Sequence, residues 1–272
     1  MEIGISWNAY GHGEITPLQQ ISLLRKNGFT HTFPMSNEPD MDEIMHLFAE
    51  NGITADSCHA PFRGINQIWN RDSSGDEWLR ILVQAAETCS RYEVPVLVVH
   101  LSSGDNAPGV NDAGSERFRK LVETAKHLGV TIAFENQRKL ANLAYAMEEF
   151  PDAGFCWDVG HEQCFAYGRE FMPLFGDRII ATHIHDNFKQ HEGDLHMLPF
   201  DGAIDFDRVA EHFAKANYRG TVMLEVFRPT SGAYEADSPE EYYAKAAAAA
   251  TRLKNKIESL FQGINIRKGE TV

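Results

Sequence analysis

The sequence predicts an α/β protein built as a single (β/α)8 TIM barrel, and three observations predict it. Short apolar runs alternate with amphipathic stretches about eight times along the 272 residues, with no linker, repeat or composition break between them. One such barrel needs about 250 residues, whereas a doubly wound open sheet uses fewer strands around a crevice. The run Val94 to Val99 is continuously apolar and rich in β-branched residues, which means burial on both faces, as in a parallel sheet. The expected organisation is therefore one domain over 1–272, with a C-terminal helix at about 239–261 packed on the barrel.

Taken in order, Glu2 to Ser6 reads as the first strand, and Pro17 to Lys26 as a helix stopped by Asn27-Gly28. His31 to Pro34 is the second strand, followed by a helix from about Asp40 to Glu50. Ile53 to Cys58 is expected to be one unbroken third strand with His59 at its end. A long amphipathic helix from Ser74 to Arg91 leads to the fourth strand, which ends at His100. The helix from Ser115 to Leu128 closes at Gly129, and Val130 to Phe134 delivers Glu135. Another helix from Leu140 to Phe150 precedes Gly154 to Trp157, which delivers Asp158, with His161 three residues on. Ile179 to Ala181 is the start of the strand that delivers His183. After a helix from Asp205 to Asn217, Thr221 to Leu224 delivers Glu225, and the last helix runs from about Pro239 to Phe261 before residues that read as frayed.

Composition is that of a globular protein, 43% hydrophobic and 24% charged. No run approaches the roughly 18 apolar residues of a membrane span, and the first residues read as a strand rather than a leader, so a cytoplasmic protein is expected. The cysteines, Cys58, Cys89, Cys156 and Cys164, lack CxxC spacing and are expected as buried thiols, with thiolate ligation considered at Cys58 and Cys156. The net charge of −14 argues against duplex DNA, whose binders draw affinity from Lys and Arg on phosphates. A small anionic metabolite stays open, held by Arg63, Arg71, Arg138 or Arg228. No GxGxxG or Walker-type loop follows a strand. A homodimer is also open: the 239–261 helix, with Tyr242, Tyr243 and its alanine run, suits either the barrel's outside or bottom or an interface.

Six strands end in a potential ligand: His59, His100, Glu135, Asp158, His183 and Glu225. A barrel gathers all C-terminal strand ends at one rim, so distance in sequence becomes proximity in space. Glu135, Asp158, His183 and Glu225 could form a three-carboxylate, one-imidazole site for Mn²⁺, Zn²⁺, Mg²⁺ or Co²⁺. Asp194 and His196, one residue apart in an extended segment, can face one ion. With His59, His100 and His161 they form a further tier, read either as ligands of additional metal ions or as supporting hydrogen-bond partners.

The segments CHAPF, LVVHLSSG, IAFENQ, FCWDVGHE, THIHDN, DLHMLPFDGAIDF and MLEVF resemble the xylose-isomerase-like TIM-barrel superfamily, which includes the sugar phosphate isomerase/epimerase and endonuclease IV branches (AP endonuclease family 2). The resemblance implies a divalent metal on Glu135, Asp158, His183 and Glu225, the histidine being placed by the spacing His183-x-x-Asp186. The endonuclease IV branch holds three zinc ions, and its ligand order is similar to His59, His100, Glu135, Asp158, His161, His183, Asp194, His196 and Glu225, with Glu135 bridging two metals.

Two chemistries follow. One is isomerisation or epimerisation of a small sugar or sugar phosphate through a metal-stabilised enediolate, with Glu135 and Glu225 as the catalytic proton carriers. Substrate would then meet His185, Trp157 and Arg228. The other is phosphoester hydrolysis of a small substrate with two or three Zn²⁺.

Overall fold

Strand β1 (Ile3–Ser6) lies between β2 (His31–Phe33) and β9 (Val222–Leu224), parallel to both. A second ladder runs, again all parallel, through β4 (Cys58–His59), β5 (Val96–His100), β6 (Thr131–Glu135), β7 (Gly154–Asp158) and β8 (Ile179–His183). Parallel bridges from Met35 to His59 and from Ile184 to Leu224 join the two ladders at their seams, so the sheet curls into the expected TIM barrel. This computed structural model describes residues 1–191 and 193–269.

The third barrel strand differs from expectation. It breaks into β3 (Thr54–Ala55), which pairs with β2, and β4, which pairs with β5. Asp56 and Ser57 stand at the break, where Asp has poor strand propensity and the two neighbours require different stagger. His59 thereby lies inside β4 rather than after it.

The outer layer is formed by α1 (Pro17–Lys26), α2 (Met41–Asn51), α3 (Ser73–Arg91), α4 (Asp112–His127), α5 (Leu140–Glu149), α8 (Phe206–Ala216) and α10 (Pro239–Gly269). Side chains set several of the starts. Thr16 and Gln19 make a reciprocal capping box on α1, Asn111 accepts from Gly114 N, and Asp205 accepts from Asp207 N and Arg208 N. Between β7 and β8 the chain makes only short helices, α6 (Val159–Phe165) and α7 (Met172–Phe175); α9 (Arg228–Ser231) follows β9.

Strand alternation divides the core in two. Val98, Ala133, Cys156 and Ala181 fill the barrel interior as one layer of small side chains. Their strand neighbours Val99, Phe134 and Trp157 belong to the larger core between barrel and helices. Each fully buried large side chain there contributes on the order of 2–3 kcal/mol. Helix α10 turns Tyr242, Tyr243, Ala246, Ala250, Leu253 and Ile257 into that core, so it covers the barrel. Its backbone continues past Phe261 to Gly269, so the expected frayed end is helical that far; residues 270–272 lie outside the described residues. All four cysteines are free and buried. Among the described residues no helix is long and apolar enough to cross a membrane.

Candidate metal centre at the barrel rim

The period of two that fills the barrel also loads its rim. Two residues beyond each interior side chain comes a polar one: His100 after Val98, Glu135 after Ala133, Asp158 after Cys156, His183 after Ala181. Register then places His100 beside Glu135 and Asp158 beside His183 across the ladder.

Glu135 is the hub. Its Oε2 lies 2.5 Å from His100 Nε2 and 3.2 Å from His59 Nε2, and its Oε1 lies 3.2 Å from His183 Nδ1 and 3.3 Å from His161 Nδ1. His183 Nδ1 is also 3.4 Å from Glu225 Oε2. Asp158 is fixed from two directions. Asn136 exchanges two hydrogen bonds with its backbone, and its own Oδ1 accepts from His161 N at 2.6 Å, which starts α6. Gln137 Nε2 lies 3.2 Å from His100 Nε2 and 3.0 Å from His161 Nδ1. Asn136 and Gln137 were not singled out by sequence, although their position directly after a strand-end Glu135 is a usable signal.

A second cluster adjoins the first. His161 Nε2 and His196 Nε2 each lie 3.3 Å from Asp194 Oδ2, and His185 Nε2 lies 3.5 Å from Asp194 Oδ1 and 3.2 Å from Asp158 Oδ1. The segment carrying Asp194 and His196 is held by Asp186, whose carboxylate accepts from the N–H groups of Asn187, Gly202 and Ile204. His196 has φ 48°, a left-handed backbone that is uncommon outside glycine and asparagine.

The donor set fits divalent cations. His59 Nδ1 donates to Ala60 O and His196 Nδ1 donates to Glu225 O, so in each neutral ring Nε2 carries a lone pair facing a carboxylate that can only accept. Either the ring takes a second proton or a cation lies between, and this backbone-anchored arrangement is the usual support of a metal-ligating imidazole. Asp158 Oδ2, His183 Nε2, Asp194 Oδ1, Glu225 Oε2 and both nitrogens of His185 are buried without a hydrogen-bond partner. Four groupings of three or four ligand atoms lie within 4.8 Å of one another: His59-Glu135-His183-Glu225, Glu135-Asp158-His161, Asp158-His185-Glu225 and His161-His185-Asp194-His196.

Electrostatics report the same crowding. Burial pushes the Glu135 carboxyl up, but the imidazoles of His100 and His183 outweigh it and hold it well below the usual range. Burial, then the neighbouring Glu135 and Asp158, push Glu225 well above its ordinary value. Burial opposes a charged His161, yet Asp158 and Asp194 raise it well above the ordinary imidazole. Carboxylates that must share protons in this way favour a cation.

Three substrate-binding expectations meet a different geometry. Trp157 faces away from the rim: Asp158 points inward, so alternation turns the indole outward, where it donates to Glu162 Oε2 and packs on Phe213. Arg228 is engaged with its own loop, donating to the carbonyls of Tyr234 and Glu235 with its guanidinium over Tyr10. His185 is completely buried among the ligand side chains. Arg138 pairs with Asp105 and lies over Phe165, while Arg63 and Arg71 are exposed. Cys58 and Cys156 are kept as thiols, Cys58 by a hydrogen bond with Cys89 and burial, Cys156 by burial in the barrel interior.

Known proteins agree with this architecture. The uncharacterized protein y4fM of Sinorhizobium fredii is 26% identical over 283 residues, covering 88% of this chain and 89% of that protein. The crystal structure of D-psicose 3-epimerase with D-tagatose, from Clostridium cellulolyticum H10, superposes with a TM-score of 0.78 at 15% identity, over 94% of this chain and 99% of the other. That of the IolI protein with a zinc atom gives 0.74 at 20% identity, over 95% and 99%. At such identities the likeness establishes the fold. A family model described as xylose isomerase-like TIM barrel matches residues 18–254, and the chain belongs to that family.

Proposed function

We propose that this chain is a divalent-metal-dependent isomerase or epimerase that transfers a proton next to the carbonyl of a small sugar or sugar phosphate. The observation that carries this reading is the pair of carboxylates, Glu135 and Glu225, which lie 3.2 and 3.4 Å from one nitrogen, Nδ1, of His183. Glu135, Asp158, His183 and Glu225 would hold Mn²⁺ or Zn²⁺, which supplies the positive charge that favours an enediolate and keeps the carboxylates ionised.

Isomerisation and epimerisation both require one group to take a proton from carbon and another to return one. Glu225 is 17% exposed, whereas Glu135 is fully buried. In this reading they act from two sides of the bound sugar. Apolar walls come from Phe62, packed on His59 and His100, and Phe33, stacked on His183 at 4.5 Å. Such rings exclude water from a carbanion-like species that water would protonate. Ketohexoses are the class to try first, because a D-psicose 3-epimerase shares the fold. Four reduced, buried thiols support a cytoplasmic setting.

A second reading, a zinc phosphoester hydrolase with two or three ions and a small substrate, is favoured by the further ligands His59, His100, His161, Asp194 and His196. The test is solvent exchange: protein loaded with Mn²⁺ or Zn²⁺ is incubated with ketoses and their phosphates in D₂O and followed by NMR. Proton transfer predicts deuterium beside the carbonyl, lost by roughly 10²–10⁴-fold in Glu135→Gln with the barrel still folded. Phosphate release without any exchange would overturn the isomerase reading, and unchanged turnover in Glu135→Gln would remove that residue from the chemistry.

A further inference from the structure

We infer that a cavity of about 270 Å³ at the N-terminal end of the barrel is a binding site for a small cation, held by the Asp56 carboxylate where the third barrel strand breaks.

The cavity lies at the strand starts, opposite the rim. Its walls come from the break itself, the first residues of β5 and β8, and the turn that enters β9. The interior layer of Val98, Ala133, Cys156 and Ala181 stands between it and the candidate metal centre. Barrel enzymes work at the other face, so this space is no part of that site.

The break is what makes the space. Strand β3 pairs with β2, and β4 pairs with β5 from Cys58 onward, so Asp56 and Ser57 leave the ladder where they would face Pro95 and Val96. All four residues line the cavity. The chain gives up ladder hydrogen bonds there and puts a carboxylate in the opening, a departure from strand chemistry of the kind found at functional sites. Among the described residues Asp56 is in no ion pair. Burial raises its carboxyl, against the Thr221 side chain and the more distant charges of His31 and His183.

The lining sets the chemistry of the ligand. Tyr218 OH and Thr182 Oγ1 both donate to Thr221 O, at 3.4 and 3.1 Å, so their oxygens have only lone pairs left to offer. A carboxylate also only accepts. Val96, Ala181 and Met223 make the wall apolar elsewhere. One negative charge, several acceptor oxygens and an apolar side match a primary ammonium on a short alkyl chain; an alkali ion would use the same oxygens. At roughly 30 Å³ per water-sized group the space takes about nine such groups. Met223 is its movable wall. It lies against Gly4, where a Cβ would fall 2.6 Å from its Cε and 2.7 Å from its Sδ. A methyl at Gly4 therefore displaces the thioether, and the cavity is the open space beside it.

The experiment titrates Zn²⁺-loaded full-length protein with n-propylammonium, and with n-propanol as its uncharged counterpart, by ligand-observed NMR, and maps the site by amide hydrogen exchange. The ammonium should bind with a Kd on the order of 1 mM, protect amides in 54–57 and 218–223, and bind about tenfold more tightly than the alcohol. Asp56→Asn, which keeps the shape of the side chain, should remove that preference while the alcohol binds as before. Gly4→Ala should weaken both probes and serves if Asp56→Asn does not fold. Competition by KCl, but not by tetrabutylammonium chloride at the same ionic strength, would assign an alkali ion as the resident cation; no competition would assign an organic amine. Equal binding of ammonium and alcohol in wild type, a preference that survives Asp56→Asn, or protection confined to other segments would overturn the site. The readout involves no turnover, so it stands or falls apart from the isomerase reading.

Discussion

Glu162 lies where substrate does not reach, and it makes stability depend on pH in a calculable way. Burial, 2% exposed, raises its carboxyl from 4.5 to about 7, against the hydrogen bonds its Oε2 accepts from Phe171 N at 2.7 Å and Trp157 Nε1 at 3.1 Å. A folded-state value above the unfolded one means the native protein holds this proton more tightly. The contribution of this one group to stability is therefore fully present below about pH 4.5, falls as pH rises, and is lost above about pH 7. Two and a half units correspond to about 3 kcal/mol. Glu162→Gln keeps an oxygen for both donors and removes the ionisation. The variant should match wild type near pH 4.5 and exceed it by about 3 kcal/mol at pH 8. For a chain of this size that is on the order of 6–12 °C in Tm. Denaturation of both proteins across pH 4.5–8, at a fixed saturating metal concentration, reads the difference while cancelling other titrations. Parallel curves for variant and wild type would refute the assignment.

Three further outcomes are expected. Mn²⁺ or Zn²⁺ at 100 times its Kd should stabilise chelator-treated protein by about 2.7 kcal/mol per site, seen as a rise of several degrees in thermal unfolding; no rise with any divalent ion would count against the rim as a cation site. Arg228→Met, which removes two carbonyl contacts and the stacking on Tyr10, should lower stability by roughly 2 kcal/mol with metal stoichiometry unchanged. Trp157→Phe removes the indole donor to Glu162, so it should destabilise by roughly 1.5–3 kcal/mol at pH 8 and leave the KM for any substrate unaltered; a raised KM would return Trp157 to the site.

The barrel was legible because its strands are apolar runs that end in a single polar residue. Wherever the strand start was set correctly, alternation carried the next polar side chain to the rim, as with Glu135, Asp158 and His183. The same rule, applied one residue earlier, would have turned Trp157 outward. What sequence could not reveal depends on long-range packing. The break at Asp56 and Ser57 arises from two neighbouring strands 23 and 39 positions away in pairing, His31 with Thr54 and Val98 with His59, not from the segment itself. Arg228 reads as a free cation until Tyr234, Glu235 and Tyr10 surround it. His185 reads as a substrate-binding histidine until Gly160 and His196 enclose its ring.

Charge decides what the rim can accept. Glu135, Asp158, Asp194 and Glu225 share it with His59, His100, His161, His183, His185 and His196. With no cation, balance falls to the imidazoles, and the burial that surrounds them opposes their protonation: it lowers His100, and it is overcome at His161 and His196 only by adjacent carboxylates. A divalent ion replaces those protons, and its binding should release them. A polyanion would approach a chain of net charge −14 and then a rim of carboxylates. An uncharged sugar meets neither repulsion, and its adjacent hydroxyl and carbonyl oxygens are the ligands that a carboxylate-held Mn²⁺ prefers to add. On the proposed reading, the electrostatics that make the site costly to assemble without metal would also favour an uncharged sugar over a sugar phosphate.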